Sequence, residues 1–480
     1  MAADLGADRT AGDLHSPAVI PRDLGDLGDL PLPQAFPLRS PRGAHLRRRT
    51  TQTLQVARRR LGPLAARRAI GQPVEPIEVA RPLRKAFADL GVTYVKLGQL
   101  VASSPGVFGE DVSTEFRTLL DQGRPVAFDR VRHEVERATG RPLRDVFRAF
   151  DPDPIGMASM AVVHRAELRS GEPVAVKVLR PGIERKIAAD FTLMGWLIPR
   201  IASRVDGAQA AMVPPMLDGL RQQLCEELDL RNEARVMAHF NALLREVDLP
   251  RIAIPHTYPE HSSRRVLVME LLDGVAIDDL GAIEGFGIDP TPLVNDIVKS
   301  FFLTTMRFGI FHGDVHAGNL LLLRDGRIGV LDWGIVGRLD EDNRQHFRAI
   351  IRAALGDEEA WIEVTERITE QIGPMITHRL GISDDQIGPM IRAVLEPMFT
   401  RPFGEVKLST LLLGPEQMTG APAAPAGDEL PPDFDPATFD RSMLLLTKQL
   451  LYFERYGQLY LKETSLLDDR AFVEELVAEG

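Results

Sequence analysis

Two short stretches decide the fold expected for this chain: Phe311–Leu323, which reads FHGDVHAGNLLLL, and Val330–Gly334, which reads VLDWG. Asp314 and Asn319 are separated by four residues, and Asp332 stands before an aromatic residue and a glycine. Kinase-type enzymes use this spacing for a catalytic aspartate, a metal-binding asparagine and a magnesium-binding aspartate. The pattern therefore predicts that the chain handles ATP and Mg²⁺.

A hairpin is predicted between the two stretches, with strands NLLLL and IGVLD on either side of the turn Arg324–Arg327. It would bring Asp332 out at a strand end, next to Asp314 and Asn319, so that three oxygen ligands converge on hard cations. An isolated D-x-x-x-x-N or D-W-G is typical of a turn or a helix cap. The combination favours a catalytic role for Asp314 and metal binding by Asn319 and Asp332.

Composition permits this interpretation and excludes others. The 480 residues are 44% hydrophobic, which is enough to bury a full core. The net charge of -11 argues against a general nucleic-acid binder. Cys225 is the only cysteine, so no intrachain disulfide can form. No apolar run of about 18 residues occurs, and the first residues lack a signal-peptide layout. We expect a cytoplasmic protein without a transmembrane segment, in contact with membranes at most peripherally.

Residues 1–75 are predicted to be a disordered or basic segment. Residues 1–45 are rich in Pro, Gly and Asp, which favours disorder. No acidic residue occurs between Pro31 and Val74, an interval that contains Arg39, Arg42, Arg47, Arg48, Arg49, Arg58, Arg59, Arg60, Arg67 and Arg68. Leucines lie among these arginines, so a basic amphipathic helix, interrupted at Pro63, could rest on an anionic membrane. A solvated basic segment is the alternative.

A helical extension is predicted over residues 76–151. It contains the sequence KLGQ, in which Lys96, Gly98 and Gln99 form a K-x-G-Q pattern on a helix. A glycine inside a helix costs about 1 kcal/mol, so Gly98 suggests close packing. Helices with Pro and Gly between them are expected to continue to about Asp151.

A smaller lobe is predicted over residues 152–272, where the apolar period changes to two. AVVHRAEL and VAVKVLR read as an antiparallel hairpin around the turn RSGEP. Lys177 takes the place of the strand lysine that holds the alpha and beta phosphates in protein kinases. The chain has only eight lysines among its 57 basic residues, so each lysine is informative.

The rest of the smaller lobe is expected to supply an acidic helix and a hinge. QQLCEELDLRNEARVMAHFNALL reads as one helix, on which Glu227 and Glu233 lie on different faces and could address two lysines. The strand RVLVMEL follows, and Met269, Glu270 and Leu272 would line the adenine-side hinge between lobes.

The larger lobe is predicted over residues 273–403 and is mostly helical apart from the hairpin. Residues 404–437 are rich in Pro, Ala and Gly and are expected to form a mobile insertion. Residues 438–480 contain SMLLLTKQLLYFERYGQLYLKE, a helix whose apolar stripe is expected to pack on the larger lobe rather than on a membrane.

Six motifs in this order resemble the UbiB or AarF family of atypical kinase-like proteins: KLGQ, IGMASMAVVHRA, VAVKVLRPGI, ELDLRNEA, FHGDVHAGN and LDWG. The resemblance implies an α+β, two-lobed protein-kinase-like fold with an N-terminal helical extension carrying K-x-G-Q and extra C-terminal helices. It also implies binding of ATP and Mg²⁺ and an association with ubiquinone or other isoprenoid-lipid metabolism.

The same resemblance assigns pairs of residues. Lys177 would pair with Glu233 and contact phosphate, and Lys96 would pair with Glu227, with Gln99 and Asp229 completing this second cluster. The loop at Ala158 and Ser159 would cradle the nucleotide with its backbone amides. Ala161 and Val162 stand where the family usually has Gly-Gln, which leaves the nucleotide preference open.

The acceptor is expected to be a small molecule, a lipid or water rather than a protein. Only the short loop IVGRLDEDNRQ separates the Asp332 turn from the next helix, so no activation segment of normal length is available for a peptide to dock on. Two alternatives are a phosphotransferase of the aminoglycoside or choline kinase type, which lacks the K-x-G-Q element, and a non-catalytic scaffold that binds nucleotide.

Overall fold

The computed structural model describes residues 30–102, 110–119, 123, 125–202, 208–380, 383–405, 441–465 and 468–478. Its helices are α1 (Gly43–Ala69), α2 (Pro76–Leu90), α3 (Val92–Ala102), α4 (Glu110–Arg117), α5 (Phe128–Thr139), α6 (Leu143–Val146), α7 (Ile183–Ala202), α8 (Ala208–Glu227), α9 (Leu230–Glu246), α10 (Leu280–Glu284), α11 (Thr291–Phe308), α12 (Glu341–Ala354), α13 (Glu358–Leu380), α14 (Asp384–Thr400), α15 (Arg441–Tyr460) and α16 (Arg470–Ala478). Within the described residues, no helix combines the length and the apolar character needed to cross a membrane.

The strands are β1 (Phe147–Met157), β2 (Ala161–Leu168), β3 (Pro173–Leu179), β4 (Ile252–Ala253), β5 (Val266–Glu270), β6 (Gly274–Ala276), β7 (Ile310–His312), β8 (Leu320–Leu323), β9 (Ile328–Val330) and β10 (Val336–Arg338). They form a sheet in the order β1-β2-β3-β5, a second sheet in the order β4-β9-β8-β6, and a pair of β10 with β7. The first sheet lies in the smaller lobe and the others in the larger lobe.

The first sheet places Lys177 by the alternation of side chains along β3. Val174, Val176 and Val178 point to one face, where they join a core cluster with residues of β2 and β5. Ala175 and Leu179 point to the other face and belong to the core that both lobes share. Lys177 therefore faces the second lobe.

Strand β1 corrects the helical prediction for the residues before Asp151. Phe147–Met157 pairs antiparallel with β2, with register shifts along the strand. Pro152 and Pro154 explain the difference, because proline breaks a helix but is tolerated on an edge strand at irregular positions. Phe147 packs in a core cluster with Ala166 and Leu168 of β2, which fixes this strand on the sheet.

The larger lobe is built around α11, whose side chains are largely buried. The predicted hairpin β8–β9 is present, with Leu320 opposite Val330. After the Asp332 turn the chain forms β10, which pairs with β7. Helix α15 packs on this lobe through Leu446, Phe453 and Tyr456. Residues 406–437 of the predicted insertion lie outside the described residues.

The K-x-G-Q helix is α3, and Gly98 is closely packed there. A Cβ atom at this position would lie 2.4 Å from Cδ2 of Leu119 and 3.0 Å from Cδ1 of Phe116. Both side chains belong to a small core cluster of the extension. The close packing suggested by the sequence is therefore present.

The segment before the extension is more ordered than predicted. Residues 1–29 lie outside the described residues, but the disorder predicted up to residue 45 is wrong for residues 30–45. The backbone N–H of Phe36 donates to the Cys225 carbonyl at 2.8 Å, and Leu30 is buried in the shared core. Helix α1 also continues through Pro63, because its packing on α2 and α7 offsets the lost hydrogen bond.

A buried ion pair fixes α1 to α7, and neighbouring hydrogen bonds join both helices to the extension. The Arg49 guanidinium contacts the Asp190 carboxylate at 2.5 Å and also donates to the Leu90 carbonyl at 2.8 Å. The Thr93 hydroxyl donates to the same carboxylate at 2.7 Å. Arg49 and Asp190 are 6% and 0% exposed, so solvent does not replace either partner. One arginine of this basic helix is therefore structural.

We predict that Arg49→Met lowers the free energy of unfolding by about 3–5 kcal/mol, because it leaves the Asp190 carboxylate buried without its cation. Urea denaturation measures the change. Arg48→Met is the matched control, since Arg48 is exposed on the same helix and its loss should cost less than about 0.5 kcal/mol. Equal effects of the two variants would show that the buried pair does not anchor α1.

Candidate functional site

A cavity between the lobes collects most of the residues singled out from the sequence. The predicted residues that line it are Lys96, Ala158, Ser159, Lys177, Glu227, Asp229, Glu233, Asp314 and Asp332. Five other predicted site residues are not among the described residues that line this cavity: Gln99, Met269, Glu270, Leu272 and Asn319. The cavity therefore unites both lysine clusters with both aspartates but leaves the predicted hinge outside.

Lys177 bridges the two lobes. Its Nζ donates to Glu233 Oε1 at 2.8 Å and to Asp332 Oδ1 at 2.9 Å. Lys177 comes from β3 of the smaller lobe and Glu233 from α9, whereas Asp332 follows β9 of the larger lobe. Asp332 has a φ of 53°, a left-handed conformation that Asp adopts more readily than most residues. This turn brings its carboxylate up to the lysine.

The charges of this bridge are mutually stabilised. Lys177 holds the pKa of Asp332 well below its usual range, so this carboxylate is ionised. Burial opposes the charge on Lys177, but Asp332 and Glu233 outweigh burial and raise the pKa of the lysine. Burial raises the pKa of Glu233, against the effect of Lys177. The site thus holds a charged lysine and an ionised Asp332, with Glu233 the carboxylate that is costliest to keep charged.

The loop that carries Asp314 and Asn319 is fixed by bonds to its own backbone. The Asp314 N–H donates to Nδ1 of His312 at 3.0 Å, and Nδ2 of Asn319 donates to the Asp314 carbonyl at 2.9 Å. Burial lowers the pKa of His312 to about 4, which keeps the ring neutral and able to accept at Nδ1. His312 thus acts as a structural hydrogen-bond acceptor in this loop.

Asn319 lies directly behind Asp314, in a turn at Ala317–Asn319. Its amide nitrogen is used for the loop, so Oδ1 is the atom left to take a cation. Asp332 supplies a carboxylate of the kind that Mg²⁺ prefers. In the described part of the chain, no cluster of three or more His, Cys, Asp or Glu groups could hold a metal ion. The donors therefore fit Mg²⁺ that arrives with phosphate oxygens and waters.

The second lysine cluster is present in a looser form. Nζ of Lys96 lies 3.9 Å from Glu227 Oε1, and the Lys96 charge helps to lower the pKa of Asp332. Asp229 caps α9 through the Arg231 N–H and pairs with the Arg231 guanidinium at 2.7 Å. Gln99 lies half-buried on α3 and does not face the cavity. Lys96 is therefore the member of K-x-G-Q that reaches the site.

The acidic helix predicted as one element is two. Helix α8 ends at Glu227 and α9 begins at Leu230, with Asp229 as its N-cap. The break explains how Glu227 and Glu233 address different lysines, because they belong to two separate helices rather than to two faces of one helix. An aspartate followed by a helical run is a recognised start signal, which the periodic leucines concealed.

The predicted hinge residues lie at the end of β5 and just after it. Met269 is buried and pairs with Ala175, and the Glu270 carboxylate accepts from the His256 N–H at 3.2 Å. Leu272 packs near Gly329 of the hairpin. Their side chains are thus engaged in the lobes, and any contact of this segment with an adenine would have to use its backbone.

A family model described as the ABC1 atypical kinase-like domain matches residues 118–365, which contain this site from Ala158 to Asp332. The chain belongs to the ABC1 atypical kinase-like family. An uncharacterised protein of Mycobacterium tuberculosis is 35% identical over 398 residues, 82% of this chain and 77% of that protein. The kinase-like, mixed helical and sheet fold predicted from the sequence is confirmed.

Other family members carry more specific names. An uncharacterised aarF domain-containing protein kinase of Arabidopsis thaliana, described as chloroplastic, is 34% identical and covers 81% of this chain and 73% of its own length. A probable protein kinase UbiB of Marinobacter nauticus is 31% identical over 69% of this chain, which spans 60% of that protein. A Mycobacterium tuberculosis protein solved with erythromycin is 24% identical, over 69% of this chain and 80% of that one, with a TM-score of 0.46.

Sequence reasoning missed three features of this ABC1 site. Arg180 donates to the Ala158 carbonyl at 2.8 Å and so fixes the nucleotide loop. Arg338 donates to the Pro31 carbonyl at 2.9 Å, which holds residues 30–33 at the mouth of the cavity. Lys448 of α15 contacts Asp314 at 2.7 Å. Each contact joins distant parts of the chain, so no local pattern could reveal it.

We predict that Lys177→Met lowers the free energy of unfolding by about 3–5 kcal/mol near neutral pH and that the loss shrinks as the pH falls. Burial already raises the folded-state pKa of Glu233, and without the lysine this pKa should rise further above its unfolded value. A group shifted in this direction stabilises the fold below the unfolded pKa, and this stabilisation is lost as the pH rises through the folded pKa. The variant should therefore recover stability relative to wild type at acidic pH.

Urea unfolding at about pH 8 and about pH 5 measures this recovery. The double variant Lys177→Met with Glu233→Gln is the control, because it has no carboxyl group at position 233 to protonate. A destabilisation of Lys177→Met that is equal at both pH values would contradict the prediction.

Proposed function

We propose that this chain binds ATP with Mg²⁺ and transfers the terminal phosphoryl group to a small molecule, a lipid or water. The observation that carries the proposal is the bridge of Lys177 to Glu233 and Asp332, set beside Asp314 in one cavity. Lys177 would contact the alpha and beta phosphates, with Ala158 and Ser159 covering them through backbone amides. Bound Mg²⁺ would neutralise charge on the phosphates.

Asp314 would orient the attacking hydroxyl or water and receive its proton. Burial alone would raise the pKa of Asp314, but the ammonium of Lys448, aided by His316 and Lys96, outweighs burial and keeps the pKa below its ordinary value. The carboxylate is therefore ionised and able to accept a hydrogen bond. Asn319 and Asp332 are the residues that would hold the metal.

A peptide acceptor is disfavoured by the surroundings of Asp314. Only residues 333–340 lie between the Asp332 turn and α12, and three of them form β10. Lys96 of the extension and Leu445 of α15 both line the same cavity. A peptide has no platform there, whereas a smaller acceptor can enter.

We further propose a role in isoprenoid-lipid or quinone metabolism, which rests on the likeness to proteins named UbiB. The alternative of an aminoglycoside- or choline-type phosphotransferase is disfavoured because those enzymes lack the K-x-G-Q element of Lys96 and the E-L-D-x-x-x-E-A element of Glu227. A non-catalytic scaffold is disfavoured because the Asn319 side chain is bonded to the backbone of Asp314, and Asp332 is bonded to Lys177 in the same site.

We predict that the protein binds Mg·ATP, and that Asp332→Asn or Lys177→Ala weakens this binding by at least about 10–100-fold, the cost typical of a lost metal-site contact. Isothermal titration calorimetry with and without Mg²⁺ measures it. Asp325→Asn is the matched control, because this aspartate lies in the exposed hairpin turn and should leave the affinity unchanged. An unaltered affinity for Mg·ATP in both site variants would contradict the assignment of Asp332 and Lys177 to an ATP site.

We also propose that α1 makes a peripheral contact with anionic membrane. Arg47, Arg58 and Leu54 are exposed, and their spacing puts them on one face. The face opposite to it carries the buried Arg49. A basic helix with an exposed leucine suits an anionic lipid surface.

The variant Arg47→Gln with Arg58→Gln should weaken binding to vesicles that contain anionic lipid, by about 1 kcal/mol for each arginine. Co-sedimentation with vesicles measures it. Vesicles of neutral phosphatidylcholine are the control. Wild-type binding that does not differ between the two kinds of vesicle would contradict the proposed contact.

A further inference from the structure

Helix α15 places a cation on the catalytic aspartate. Nζ of Lys448 contacts Asp314 Oδ1 at 2.7 Å, and the Tyr452 hydroxyl donates to the same oxygen at 3.2 Å. Tyr456, one turn further, donates its hydroxyl to the Val315 carbonyl. The helix therefore contacts two successive residues of the catalytic loop.

The same face of α15 reaches the nucleotide cavity. Ser442 and Leu445 line that cavity, and Lys448 follows Leu445 by three residues, which keeps it on the same side of the helix. The Lys448 side chain is 38% exposed, whereas Asp314 is 19% exposed. Lys448 is thus in contact with Asp314 and remains partly open to solvent.

A lysine at this position is unusual for this chain. Only eight of its 57 lysine and arginine residues are lysines. Three of these eight, Lys96, Lys177 and Lys448, act on Asp314 or Asp332 through their charge. An arginine would bind Asp314 with its planar fork, whereas an ammonium has three donors that can hold a carboxylate and a second oxyanion together.

The charge that develops in phosphoryl transfer calls for such a group. The transferred phosphoryl group spreads negative charge over three equatorial oxygens, and catalysis depends on fixed cations near them. Lys177 is held on the nucleotide side by Glu233 and Asp332. Lys448 stands on the acceptor side, next to the carboxylate that would orient the attacking oxygen.

We propose that Lys448 is a phosphoryl-binding residue, whose ammonium contacts the terminal phosphoryl group of the bound nucleotide while it stays beside Asp314. Tyr452 acts as a positioning residue, because its hydroxyl holds the Asp314 carboxylate from the same helix. This inference rests on the proposed function. Helix α15 thereby forms the acceptor-side wall of the site.

The test compares the affinity for Mg·ADP with the affinity for Mg·ADP plus tetrafluoroaluminate, an analogue of the phosphoryl group in transfer. Isothermal titration calorimetry measures both, without any need for turnover. Lys448→Met should weaken the fluoroaluminate complex by at least about tenfold, the loss of one charged contact. It should leave the Mg·ADP affinity unchanged, and Lys448→Arg should restore part of the difference.

Two further variants separate this role from packing. Lys299→Met is the matched control, because Lys299 pairs with Asp469 at 2.5 Å outside the cavity and should change neither affinity. Tyr452→Phe should also spare Mg·ADP and cost the fluoroaluminate complex less than Lys448→Met does.

The possible results are distinct. Failure of the wild-type chain to bind Mg·ADP would overturn the proposed function and this inference with it. If wild type binds both ligands and Lys448→Met leaves both affinities unchanged, Lys448 does not bind the phosphoryl group and the inference alone is overturned. An equal loss of both ligands would assign Lys448 to the packing of α15 and would also overturn it.

Discussion

The bridge of Lys177 to Glu233 and Asp332 is the interaction on which the site depends. One ammonium is held at 2.8 Å and 2.9 Å by carboxylates from the two lobes, so the distance between the lobes is set where nucleotide phosphates would bind. Burial of Lys177 and Glu233 is tolerated because each has a partner at hydrogen-bond distance. A nucleotide with its metal would exchange some of these contacts for phosphate and metal contacts, and would find the site already aligned.

Three parts of the chain enclose this bridge. Helix α3 brings Lys96 from the extension, residues 30–33 lie at the mouth of the cavity, and α15 covers Asp314. Lys177 and Glu233 are largely shielded from water, which strengthens the electrostatic interaction between them. The contacts of α3, residues 30–33 and α15 would thus both narrow the choice of acceptor and favour phosphoryl transfer within the proposed site.

The sequence predicted the parts of the site that are local and missed those that are not. Asp314 and Asn319 lie on one loop, and Asp332 follows the adjoining hairpin. Their spacing in the sequence is therefore enough to predict that the three residues lie close together. Lys177 and Glu233 could be paired only through the family resemblance, and the structure brings them together.

The break between α8 and α9 was hidden because leucines continue their helical period across Asp229. The strand nature of residues 147–151 was hidden because a pairing partner, rather than the local sequence, decides an edge strand. Lys448 lies 134 residues from Asp314, beyond any pattern that spacing can show.

The contacts of residues 30–33 and of α15 bear on the order in which the protein assembles. Arg338 meets Pro31 across 307 residues and Lys448 meets Asp314 across 134. Contacts of such long range close large loops and tend to form late. During synthesis, both lobes can fold and align Lys177 with Asp332 before α15 has emerged. The side of the site at Asp314 would then be open to water until α15 docks. A growing chain would therefore have Lys177 and Asp332 in place before α15 covers Asp314.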